Sequence, residues 1–81
     1  MTSKRYINKS VWKRCKKQVG QNIQAARKAK GLTRQQLSDQ TKYSVTHLIG
    51  FEERGTPLRL YDLLYLAHTL DIPPEDLLKH I

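Results

Sequence analysis

The chain has 81 residues, 38% of them hydrophobic, and a formal net charge of +8, which describes one small domain with little buried surface to spare. Its single cysteine, Cys15, excludes an internal disulfide framework and reads as a reduced thiol. No apolar run reaches the length of a membrane span and no signal-peptide core opens the sequence, so a cytoplasmic protein with no membrane partner is expected.

Met1 to Lys9 lacks hydrophobic periodicity and reads as an N-terminal arm. It opens a strongly basic block. Residues 1–30 carry ten Lys or Arg and no acidic residue, whereas residues 31–81 carry five basic and seven acidic residues. A block of one sign attracts polyanions, and nucleic acid is the first candidate.

Ser10 is a candidate N-cap for the first helix. Val11, Cys15, Val19, Ile23 and Ala26 then recur at steps of four, four, four and three, which places them on one helical face. Gly20 interrupts the run. Either one helix spans about Val11 to Lys30 or two pieces meet near Gly20, and Gly31 ends the pattern as a C′ glycine.

Thr33 and Gln36 have capping-box spacing, so a short second helix starts after Thr33, with Leu37 in the core, and stops near Thr41. Ser44 caps a third helix over about Val45 to Glu53. Thr56-Pro57 starts a fourth helix, or it begins later near Arg59; Leu60, Leu63, Leu64, Ala67 and Leu70 mark its core face. Pro73-Pro74 ends any helix before it, and Pro74 opens a fifth whose apolar residues are Leu77, Leu78 and Ile81. The fold class expected is all-α, a compact domain of five helices.

Two short capped helices separated by a few residues have the layout of a helix-turn-helix, whose second helix enters the DNA major groove. At 100° per residue, Leu48 and Phe51 of the third helix face the core. Val45, Thr46, Ile49 and Gly50 lie opposite, with His47 at the edge, and are the expected base readers. Thr46 is suited to a hydrogen bond or a thymine methyl, Val45 and Ile49 to apolar contact, and Gly50 to close backbone approach. No Arg, Asn or Gln offers bidentate readout on this face, so part of the specificity is expected from DNA shape. Arg34, Tyr43, Ser44 and Arg54 flank the helix as expected phosphate contacts, with packing on the turn as the alternative for Tyr43.

With these residues placed, the chain resembles the lambda-repressor/Cro-like, or Xre, family of helix-turn-helix regulators. The likeness runs from about Val19 to Leu78. It rests on Gly20, Ile23, Arg27 and Lys30-Gly31-Leu32-Thr33; then Leu37; then Leu48-x-x-Phe51-Glu52; then the Leu60 to Leu70 series; then Asp76-Leu77-Leu78. The resemblance implies a lambda-repressor-like DNA-binding domain over residues 18–81, preceded by a basic arm or helix extension over residues 1–17. It also implies a buried structural ion pair between Arg27 and Glu52. Two departures stand out. Glu52-Glu53-Arg54-Gly55 is one residue longer than the family's usual Glu-x-Gly, and Lys42 stands where the family's turn commonly has Gly.

The function expected is a sequence-specific double-stranded DNA-binding regulator, a repressor that binds a palindromic operator as a homodimer. Tyr61, Tyr65 and Leu66, the terminal Ile81, and the Val11-Trp12-Cys15 stretch are the spare apolar surfaces for such a dimer. The alternative is an antitoxin that binds a protein toxin, through the Trp12-bearing extension, and represses its own operon. An enzyme is not expected. His47, His68 and His80 have no Cys, Asp or Glu arrangement typical of a metal site, there is no Gly-rich phosphate loop, and no cofactor is implied.

Overall fold

Asn8, rather than Ser10, starts the first helix: its Oδ1 accepts the Val11 amide at 2.9 Å. The computed structural model describes residues 8–81, so most of the arm expected over Met1 to Lys9 lies outside the described residues. Helix α1 spans Lys9–Ala29 without a break at Gly20 or at residue 17. Its end is a Schellman motif. Gly31 takes φ 71°, its amide donates to Lys28 O at 2.9 Å, and the Leu32 amide donates to Arg27 O at 3.1 Å.

Helix α2 spans Arg34–Gln40 and is opened by the expected capping box. The Gln36 amide donates to Thr33 Oγ1 at 3.1 Å, and the Thr33 amide donates to Gln36 Oε1 at 2.8 Å. Four residues later helix α3 begins. It spans Val45–Ile49, with Ser44 Oγ accepting the His47 amide at 3.1 Å. The chain then widens into a π-helical turn over Gly50–Arg54, closed by Gly55 at φ 66°. A π turn holds one more residue than an α turn, and the extra residue of Glu52-Glu53-Arg54-Gly55 is accommodated here.

Helix α4 spans Leu60–Thr69, so the later of the two expected starts is the observed one. Its core stripe is Leu63, Leu66, Ala67 and Leu70, all buried. Leu60 and Leu64, expected in the core, are instead 71% and 45% exposed, and Leu66, expected outside it, is fully buried. The expected stripe 60/63/64/67/70 and the observed 63/66/67/70 share Leu63, Ala67 and Leu70, so periodicity within this helix does not distinguish them. The fifth helix is replaced by a 3₁₀ segment, Pro74–Leu78, that buries Leu77 and leaves Leu78 and Ile81 exposed. The fold is therefore all-helical, with four α-helices rather than five, and no strand among the described residues.

One core joins these elements: Ile23 from α1, Leu37 from α2, Leu48 and Phe51 from α3 and its π turn, the α4 stripe, and Leu77. Asn22 ties the C-terminal segment to α1 by donating from Nδ2 to Leu77 O at 3.0 Å and Lys79 O at 2.8 Å. No described helix is long and apolar enough to cross a membrane.

Candidate nucleic-acid interface

The back of α3 is pinned. Leu48 is fully buried and Phe51 nearly so. Behind the π turn, α1 approaches so closely that a Cβ on Gly20 would lie 2.5 Å from Phe51 O and 2.7 Å from Glu52 O. Only a residue without a side chain permits that approach, which explains a glycine in mid-helix.

The Glu52 carboxylate is buried and fully partnered. Arg27 Nε donates to Oε2 at 2.9 Å and Nη2 to Oε1 at 3.0 Å, the parallel fork that guanidinium and carboxylate geometry favours. Arg27 Nη1 also donates to Leu32 O at 2.8 Å, so one side chain locks the end of α1, the entry to α2 and the π turn. The ion pair implied by the resemblance is present. Arg34 adds a third donor to Glu52, from Nε to Oε1 at 3.1 Å, and also pairs with Glu53 through Nη2. Its guanidinium loses some hydration, but Glu52 and then Glu53 outweigh that loss and raise its pKa.

The front of α3 presents Ser44, Thr46 and His47 as exposed residues, with Val45 and Ile49 half-buried between this face and the core. The Ser44 hydroxyl oxygen is engaged as a cap. The His47 ring leans on Phe51, with centroids 4.5 Å apart, and meets Tyr43 edge-on at 5.1 Å. Arg54 is exposed just beyond, and the Lys16 stem runs beside Gly55. Arg34, Ser44, Thr46, His47 and Arg54 thus remain available at the surface, Arg34 only in part.

Two expected site residues do not face outward. Tyr43 is buried in the core, packed edge-on against Phe51 with centroids 5.2 Å apart, and its hydroxyl donates to Asp62. Burial, followed by the hydrogen bond to Asp62 and then the Asp62 charge, raises the tyrosine pKa. Gly50 is also buried; a Cβ there would lie 2.3 Å from Thr56 Oγ1, and the Thr56 amide donates to Gly50 O at 3.1 Å. A period of 100° per residue does not hold at Gly50, where the backbone turns from α to π and the returning chain covers it.

The connection between α2 and α3 is braced at each residue. Thr41 Oγ1 donates to Leu37 O at 2.9 Å, Ser38 Oγ donates to Tyr43 O at 2.8 Å, and the Lys42 amide donates to Tyr65 Oη at 3.2 Å. Lys42 does not adopt a left-handed conformation; among described non-glycine residues only Asp71 and His80 have positive φ. Its ammonium instead lies 4.2 Å from the centre of the Tyr61 ring, a cation–π contact.

No family model, curated protein or solved structure matches this chain.

Two of these relationships have no signature in the sequence. Glu53 and Arg34 lie 19 residues apart, with no local pattern to join them. Tyr43 and Asp62 are separated by the same distance. A partial signal did exist for Asp62, because it stands three residues after Arg59, and the Arg59 amide donates to Asp62 Oδ2 at 2.9 Å.

Proposed function

We propose that the chain is a lambda-repressor/Cro-like, Xre-type regulator that binds double-stranded DNA in a sequence-specific manner, with α2 and α3 as the helix-turn-helix. In this reading α3 enters the major groove. Thr46 reads a base edge, Val45 and Ile49 contribute apolar contacts at the margins, and His47 lies at the rim. Arg34, Ser44 and Arg54 hold the flanking phosphates. The protein binds a palindromic operator as a homodimer and represses by occupancy.

The observation that carries this reading is the two-sidedness of α3. Its back is pinned by Leu48, Phe51 and the Arg27–Glu52 fork, and its front leaves Thr46 and His47 exposed. A rigid, capped helix with an uncommitted outer face is what insertion into a groove requires. The net charge of +8 and the acid-free first thirty residues supply the sequence-independent attraction to phosphate.

Selection of bound fragments from a random duplex pool, read with the stoichiometry of the complex, tests the proposal. A palindromic consensus bound two chains to one duplex is the expected result. Recovery of no consensus at any salt concentration rejects sequence-specific binding.

A further inference from the structure

The stretch of α1 from Lys9 to Gln18 supplies no core residue; Gly20 is the first buried residue of the helix. That stretch is nonetheless helical throughout and capped by Asn8. Its composition is dominated by charge: Lys9, Lys13, Arg14, Lys16 and Lys17, with no acidic residue.

The charges divide between two sides of the helix. At about 100° per residue, Lys9, Lys13 and Lys16 lie within about 40° of Gly20, whereas Arg14 lies about 120° away. Gly20 marks the side on which α1 meets the π turn, where its backbone approaches Phe51 O and Glu52 O. The three lysines therefore prolong, along α1, the side of the domain on which α3 ends. Lys16 makes the junction. Its stem passes beside Gly55, the residue after the exposed Arg54. Its ammonium lies 5.6 Å from the centre of the Trp12 ring, one turn back toward Lys13. From Lys9 to Lys16 the helix rises about 10 Å, the axial rise of about three base pairs.

No carboxylate neutralises this row. Among the described residues none of the three lysines takes part in an ion pair. The acidic residues of the adjoining π turn are held elsewhere, Glu52 by Arg27 and Arg34 and Glu53 by Arg34. Like charges three and four residues apart destabilise a helix, so the row is a cost to α1 that a bound polyanion would remove. Cations repeated at each helical turn, contiguous with Arg54, match the regular charge of a duplex backbone. We propose that Lys9, Lys13 and Lys16 form a phosphate track that extends the α3 contact, through Arg54, onto the duplex backbone beside the groove. The track rests on duplex DNA as the partner proposed above, but it does not require α3 to read sequence.

The test uses the full chain and a fluorescein-labelled duplex of unrelated sequence, with anisotropy titrations at several salt concentrations. Lys9, Lys13 and Arg14 are all exposed, so their substitution leaves the core intact. Lys13→Gln should lower the slope of log K against log salt by about one, and Lys9→Gln with Lys13→Gln by about two. The double variant should bind about tenfold more weakly at low salt. Arg14→Gln removes the same charge one residue away and should leave the slope unchanged. Equal slope losses from Lys13→Gln and Arg14→Gln would mean diffuse attraction and overturn the track. An unchanged slope in the double variant, or a loss confined to heparin, overturns it as well. If selection from a random pool yields a consensus while these slopes do not move, the track alone is rejected. If the slopes move as expected but no consensus emerges, sequence reading by α3 is rejected and the track stands. Absence of duplex binding by the parent chain rejects both.

Discussion

The Arg27 guanidinium grips the Glu52 carboxylate in a two-bond fork across 25 residues, and both side chains are almost wholly removed from water. A pair in this position need not add net stability over an apolar pair of the same shape, because both charges lose hydration. Its consequence is directional: it fixes the π turn, and with it α3, against the end of α1.

Breaking the fork from one side should be severe. Glu52→Ala leaves the buried Arg27 without its counter-charge, holding only Leu32 O, and should cost about 3–5 kcal/mol, a large share of the roughly 4–12 kcal/mol expected for a domain of this length. Arg27→Met with Glu52→Leu should recover most of that loss. Urea unfolding of the single and double variants measures both effects.

Gly20→Ala separates helix propensity from packing. Propensity alone favours the alanine by about 1 kcal/mol. The new Cβ, however, would meet two backbone carbonyl oxygens at 2.5 and 2.7 Å, and backbone cannot rotate away. Packing should win, with a net loss of about 1–3 kcal/mol or more in the unfolding midpoint analysis.

Much of this arrangement was legible in the sequence because it is local. The Thr33–Gln36 box, the Ser44 cap and the Gly31 terminus follow from residues within one or two turns, and each is present. The burial of Leu48 and Phe51 follows from periodicity. Apart from the α1 cap, which is Asn8 rather than Ser10, the differences are non-local or arise where the helical period changes. Gly50 and Tyr43 are buried without a sign of it in the α3 segment, because neither the π turn nor the Asp62 partner leaves a mark there. The α4 stripe slipped because Leu60 and Leu64 sit at helical spacing beside an equally apolar alternative, and only the packing of Leu66 decides between them.

Asp62 should give the fold an acid-side dependence. Burial alone would raise its pKa, but hydrogen bonds from Tyr43 and then Arg59 outweigh that effect and hold it below the ordinary carboxylate value. The unfolded chain therefore binds more protons in this range. The stability Asp62 contributes is present above about pH 4 and is lost as pH falls through its lowered folded value. Thermal unfolding from pH 6 to pH 2 should show a shallower decline for Asp62→Asn than for the parent chain.

Arg34 is held back from the surface by Glu53. If Arg34 meets a phosphate, Glu53→Gln should release its Nη2, with Nε still on Glu52, and tighten DNA binding several-fold, on the scale of about 1 kcal/mol for an exposed pair. Arg54→Ala should weaken binding to all duplexes alike and reduce the salt slope by about one. Fluorescence anisotropy at several salt concentrations measures both.

The most direct test of α3 as a reader is Thr46→Ala, assayed against the selected operator and against unrelated duplex of the same length. The Thr46 side chain is exposed and makes no hydrogen bond within the described residues, so the fold should be unchanged. The account predicts a loss of about 1 kcal/mol or more on the operator and almost none on unrelated DNA. Equal affinity changes on the two duplexes would contradict it.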